Sequence, residues 1–212
     1  MRAFGAELIE FGADFDEAKH EAARLAGARG LHMVPSFDAL LVKGVATYGL
    51  ELLRAVPDLD AVYVPIGMGS GVVSLIHVRN LLGARTDIIG VVAEEAPCIA
   101  LSFEAGRAVA TNSARTFADG MACREPHPLA LEHILAGAGR IVRVSEDEIA
   151  AAARAYFEDT HNVAEGAGAA PLAALMKERS AMAGKRVGLV LSGGNIDRPV
   201  FAEVLAGRTP KV

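Results

Sequence analysis

The chain of 212 residues has no tryptophan, only 5% aromatic residues, two cysteines and no run of basic side chains. Each shortage excludes something. A formal charge of -5 with acids and bases interspersed leaves no electrostatic footprint for a nucleic acid or an anionic membrane. Cys98 and Cys123 lie in segments without metal-ligand spacing, which fits a reducing cytoplasm. No apolar stretch approaches the roughly 20 residues that cross a bilayer, and Met1 to Glu7 lacks the apolar run of a signal peptide. No Gly-x-Ser-x-Gly elbow occurs, so the simplest hydrolase reading falls away. A cytoplasmic protein with a small-molecule ligand remains.

What is present is apolar and glycine-rich. At 52% hydrophobic content the chain can bury a substantial core. Short β-branched runs alternate with alanine-rich helical stretches, and strands are expected at Ala6–Phe11, Leu31–Val34, Ala61–Ile66, Asp87–Val92, Arg140–Val144 and Arg186–Leu191. Alternation of this kind predicts an α/β protein with an open, mainly parallel twisted sheet and helices on both faces. Asp14-Phe15-Asp16-Glu17 can cap a helix whose Ala18, Ala22 and Leu25 share one face and which Gly27 or Gly30 can end, and Ser145-Glu146-Asp147-Glu148 has capping-box spacing. Further helices are expected over Phe37–Arg54, Val72–Leu82, Ile99–Glu104, Pro128–Ala136, Gly166–Ala181 and Pro199–Leu205. Thr111 to Pro128 is the least regular stretch.

The most informative run is Val62 to Gly71, an apolar strand emptying into Gly67-Met68-Gly69-Ser70-Gly71 and then a helix. Glycines bring backbone N–H groups close to a ligand, and the following helix directs its positive dipole end at the same point, so the turn suits an anion such as phosphate. A second apolar strand ends at Leu191-Ser192-Gly193-Gly194-Asn195. Ligands of open α/β sheets sit outside the carboxyl ends of the strands, so the two loops are expected to face one crevice. The six histidines include no pair three or four apart on one helix.

Three segments in order, Val64 to Gly71, Glu165-Gly166-Ala167-Gly168-Ala169-Ala170 and Leu191 to Asn195, resemble the pyridoxal-phosphate (PLP) enzymes of fold type II, most closely the threonine/serine dehydratases. The resemblance covers essentially all 212 residues and corresponds to the C-terminal two-thirds of those enzymes. It implies residues 1–37 as a remnant of a small domain and 38–212 as a large PLP-binding domain. It also implies a homo-oligomer acting on L-threonine or L-serine to give a 2-oxo acid and ammonia. Gly67, Met68, Gly69, Ser70 and Gly71 would wrap the cofactor phosphate, where many relatives carry four glycines in a row. Met68 departs from that pattern and needs a negative φ or room outside the turn. Ser192, with Gly193 beside it, matches the residue that hydrogen-bonds the pyridine nitrogen, and Glu165 stands either near the ring edge or as a helix N-terminal acid.

The same resemblance carries two absences. The Ser-Phe-Lys-type segment whose lysine joins PLP covalently does not occur, nor does the asparagine loop that follows it, so no catalytic residue is assigned and a truncated chain, inactive alone, is expected. Lys43 follows the apolar Leu40-Leu41-Val42 but reads as a helix-face lysine with its amine in water. The carboxylates that hold a divalent cation in some relatives are replaced by Val92 and Cys98, and adjacent Glu94 and Glu95 do not make a cage, so no metal is expected. Other outcomes of the same fold are a racemase or a non-catalytic cofactor-binding module.

Overall fold

A computed structural model describes residues 2–211. The chain divides into two compact units, one up to Ser36 and one from Phe37 on. The first holds a 3-10 turn, an irregular stretch and helix α1 (Phe15–Arg29). Asp14 caps α1 by accepting from the Glu17 N–H at 3.0 Å, and Gly30 ends it at φ 63°, the left-handed conformation that glycine adopts without a Cβ penalty.

The strands expected at Ala6–Phe11 and Leu31–Val34 do not form. Both stretches carry no regular secondary structure and no sheet neighbour among the described residues, and Ile9, Phe11, Leu31 and Val34 are exposed. Alternating apolar residues describe a surface able to pack in a sheet, but a strand exists only where a second backbone meets its N–H and C=O groups.

The second unit carries the sheet. Strands β1 (Ala61–Pro65), β2 (Asp87–Ala93), β3 (Arg140–Val144) and β4 (Val187–Leu189) lie in the order β3-β2-β1-β4 and all pair in parallel. Helices α2 (Ala39–Ala55), α3 (Ser70–Leu81), α4 (Cys98–Ala105), α5 (Pro128–Gly137), α6 (Glu146–Thr160), α7 (Gly166–Lys177) and α8 (Arg198–Leu205) cover it. Successive strand residues feed opposite layers, as the pleat requires. Val62, Val64, Ile88 and Val92 join a buried cluster with Leu53, Leu75 and Ile134, whereas Tyr63, Ile89 and Val91 join another with Ile149, Ala170 and Val204. The open, parallel, doubly covered sheet expected from the sequence is therefore present.

Several ends differ from expectation for local reasons. Helix α2 starts at Ala39 because the Asp38 carboxylate accepts from the Leu40 N–H at 2.7 Å. Helix α7 stops at Lys177, and residues after it turn until β4 begins. The capping box at Ser145 is complete: its hydroxyl accepts from the Glu148 N–H at 3.2 Å and Glu148 accepts from the Ser145 N–H at 2.8 Å. Ser145→Ala is expected to lower stability by about 1 kcal/mol in a urea denaturation curve; an unchanged midpoint would contradict this capping role.

A polar cluster joins three strands of this unit to the end of α7. Arg140 donates to Glu178 at 2.7 and 3.1 Å and to Asp87 at 3.2 Å, and the buried Tyr63 hydroxyl donates to Glu178. Burial pushes the Tyr63 hydroxyl above its ordinary range, and the Glu178 carboxylate pushes it further, so it stays a donor. Burial alone would raise Glu178, but hydrogen bonds from Arg140 and Tyr63 and the Arg140 charge outweigh it and leave the carboxyl below its ordinary 4.5. A lowered folded-state pKa stabilises the fold above the unfolded value, and that stabilisation disappears as pH falls through the folded value. Denaturation midpoints measured from pH 7 down to pH 3 should fall in the parent, with a visibly shallower slope in Glu178→Gln.

Candidate functional site

The sheet order places a topological switch beside β1. The chain steps from β1 to β2 to β3 in one direction and returns to lay β4 on the other side of β1. Connections from β1 and β4 therefore leave the same sheet edge in opposite directions and open a crevice between them. The Val190 N–H donates to the Tyr63 carbonyl at 3.0 Å, which holds the two strand ends together.

Gly67, Met68, Gly69, Ser70 and Gly71 all line a cavity of about 490 Å³ in this crevice, with Glu165 and Ser192 across from them. Its remaining walls include Val45, Tyr48, Val64, Pro65, Gly120 and Ala167. Gly193 lies outside the lining, but its carbonyl accepts from the Glu165 N–H at 3.1 Å.

The glycine turn works through two different constraints. Gly69 sits at φ 100°, just before α3, in the region that L side chains rarely adopt. Gly67 lies where a Cβ would come 2.1 Å from the Gly120 carbonyl oxygen, so the irregular segment before α5 closes directly over it. Met68 needs neither freedom, because its φ is not positive and its side chain packs against the cluster containing Val72 and Ile134. The first intrahelical bond of α3 runs from the Val73 N–H to the Gly69 carbonyl at 3.0 Å. Helix geometry thus leaves the N–H groups of Ser70, Gly71 and Val72 without intrahelical acceptors at the end that carries the positive dipole. These donors, with the Ser70 hydroxyl, form a cradle of the chemistry that binds phosphate.

Tyr48 braces that cradle from α2. Its hydroxyl donates to the Gly71 carbonyl at 3.0 Å, and the Ser74 hydroxyl donates to the same oxygen at 2.7 Å. Burial pushes Tyr48 up to about 12, so the phenol stays protonated.

On the opposite wall, Glu165 is the N-cap residue of α7 and its carboxylate accepts from the Asn195 N–H at 3.0 Å. A Cβ on Gly168 would fall 2.5 Å from the Gly193 carbonyl, and one on Gly193 would fall 2.9 Å from the Glu165 carboxylate. Glycines here let α7 and the loop after β4 approach within backbone contact. The Ser192 hydroxyl is exposed and has no hydrogen-bond partner among the described residues, leaving it available to a ligand.

No lysine among the described residues lines this cavity. Lys43 is exposed on α2 in a separate groove, Lys177 donates to Glu148 and to the Arg143 carbonyl, Lys19 pairs with Asp16, and Lys211 borders a polar hollow beyond Glu165. Glu94 and Glu95 are exposed, and the described residues hold no group of three or more potential metal ligands. Sequence reasoning missed Val45, Tyr48 and Gly120. Nothing in their local context marks them, since α2 and the 111–127 segment reach the cavity only through packing.

The family model for the pyridoxal-phosphate dependent enzymes matches residues 1–193. The chain belongs to this family. It is 37% identical over 198 residues to an L-threonine ammonia-lyase of Thermotoga maritima, a match covering 92% of this chain and 49% of that protein. Among solved structures it is similar to the processed form of threonine deaminase isoform 2 from Solanum lycopersicum, with a TM-score of 0.88, 29% identity, and coverage of 97% of this chain and 58% of that one. It is also similar to a pyridoxal 5′-phosphate-dependent aspartate racemase, with a TM-score of 0.85, 27% identity, and coverage of 93% and 62%. The fold is that of the type II PLP enzymes, and PLP is the family cofactor. The chain spans about half the length of the curated relatives it matches. No helix among the described residues is long and apolar enough to cross a membrane.

Proposed function

We propose that this chain forms the cofactor-binding half of a threonine/serine ammonia-lyase, which converts a β-hydroxy amino acid to a 2-oxo acid and ammonia. The observation that carries the reading is the N–H cradle of Gly67 to Gly71 facing the Ser192 hydroxyl across one cavity. A phosphate fits the cradle because the Ser70, Gly71 and Val72 N–H groups have no intrahelical acceptors, and the apolar lining residues Val45, Val64 and Val190 suit a ring in the same cavity.

In this reading Gly67, Met68, Gly69, Ser70 and Gly71 hold the PLP phosphate and so fix the position of the ring. Ser192, seated beside Gly193, shares a hydrogen bond with the pyridine nitrogen. A neutral hydroxyl there leaves that nitrogen largely unprotonated, which tempers electron withdrawal and suits β-elimination. Bound PLP supplies electron withdrawal from the substrate α-carbon. Glu165 holds the Ser192 loop by accepting from Asn195 and keeps its carboxylate at the cavity wall. The lysine that joins PLP covalently, and the loop that takes the substrate carboxylate, lie in this reading within the part of the relatives' length that the chain does not span. The working protein is a homo-oligomer in the cytoplasm.

Titration of this chain with PLP, followed by borohydride reduction and intact-mass analysis, tests the binding half. Saturable uptake without a stoichiometric lysine adduct is expected; an adduct on Lys43 would overturn the assignment. For the reaction, the full gene product incubated with L-threonine or L-serine should release a 2-oxo acid. Conversion to the D-amino acid without oxo acid would instead support the racemase reading suggested by the aspartate racemase likeness.

A further inference from the structure

Outside the cavity, a second cluster of ligating side chains stands further along α3. His77 on α3 and His133 on α5 are 56 residues apart in sequence, yet the His77 Nε2 and His133 Nδ1 atoms lie 3.4 Å from each other, with the ring planes at 89°. Two imidazole nitrogens bound to one tetrahedral ion at about 2.0–2.1 Å are separated by about 3.3 Å. We infer that His77 and His133 form a two-histidine site for a divalent transition metal, Zn²⁺ or Cu²⁺, bridging α3 and α5.

The backbones beneath the pair are locked. Gly137 lies so close to α3 that a Cβ there would meet the Ile76 side chain at 2.3 Å, and Arg79 donates to the Gly137 carbonyl at 3.0 Å. Ile76 and Ile134, adjacent in sequence to the two histidines, are buried in one cluster. Binding therefore needs only small side-chain rotations, and little ordering cost opposes it. His77 is exposed and His133 half-buried, which leaves room for water to complete the coordination sphere. Lys43 borders the same groove, but it is exposed, and its four-carbon stem lets the ammonium turn to solvent. The imidazoles can alternatively share one N–H···N hydrogen bond; on metal binding the donor ring changes tautomer, so its proton moves to the remote ring nitrogen and the inward lone pair meets the metal.

The test is calorimetric titration of the chelator-treated protein with Zn²⁺ and, separately, Cu²⁺, which binds nitrogen ligands more tightly. Expected are one equivalent of micromolar uptake, at least a tenfold loss of affinity in His77→Gln and in His133→Gln, and nitrogen hyperfine structure in the Cu²⁺ spin-resonance spectrum that changes in each variant. Circular dichroism of the variants controls for folding, and both positions are surface-accessible enough to tolerate glutamine. Uptake equally tight in the double variant, or none in the parent at millimolar metal, would overturn the site.

Discussion

Ser70→Asp is expected to abolish PLP binding while leaving the fold intact. Ser70 is the first residue of α3 and lines the cradle, so its side chain faces whatever anion sits there. A carboxylate about 4 Å from a phosphate charge is opposed by ~4 kcal/mol at an effective dielectric of 20, which corresponds to roughly a thousandfold in affinity. The fold should tolerate the change, because an acid in the first turn of a helix interacts favourably with the dipole by about 0.3–1 kcal/mol. Ser70→Ala provides the control. It removes one hydrogen bond and adds no charge, so about a tenfold loss or less is expected. PLP titration followed by absorbance, with melting temperatures measured in parallel, separates the two effects; equal PLP affinity in the aspartate variant and the parent would remove the phosphate assignment.

Gly67→Ala should cost more than any other glycine-to-alanine change in the cradle apart from Gly69. The new Cβ would sit 2.1 Å from the Gly120 oxygen and 3.3 Å from the Gly120 carbonyl carbon, and both are backbone atoms that cannot swing aside. Gly67 does not have positive φ, so the penalty is steric, not conformational. Relief requires moving the segment around the 3-10 turn Asp119–Met121, which carries buried Ala118 and Met121 and also forms part of the cavity wall through Gly120. Overpacking of this kind costs about 1–3 kcal/mol, or roughly 2–12 °C in melting temperature for a chain of this size, and PLP affinity should fall with it. Gly71→Ala is the comparison within the same turn. Its Cβ would meet only Val64 at 3.6 Å and the Tyr48 hydroxyl at 3.7 Å, ordinary contact distances, so stability should stay within about 0.5 kcal/mol. If both variants melt together, the close approach of the 111–127 segment to Gly67 is not a feature of the protein in solution.

Much of this site is legible in the chain itself. The Gly67 turn and the Ser192 loop can be paired from the sequence because both end apolar strands, and in a parallel sheet the ends of strands share an edge. The capping box at Ser145 is legible because it is made by neighbours in sequence. Tyr48 and Gly120 are not, since each reaches the cradle from a segment distant along the chain, through α2 and through the 3-10 turn before α5. The His77 and His133 pair is hidden for the same reason: a search along one helix cannot find ligands contributed by two.

The sequence by itself determined the class of fold, the two loops that face the cavity, and the family, because hydrophobic period, turn residues and short motifs are local properties of the chain. Tertiary structure decided which strand-like runs become strands. The runs near Ile9 and Leu31 have the right residues but no neighbouring strand among the described residues to form a ladder with them. It also decided why two glycines of the cradle are needed for unlike reasons, φ at Gly69 and a carbonyl 2.1 Å from an added Cβ at Gly67, since close approach between distant segments is a property of packing that no local pattern records.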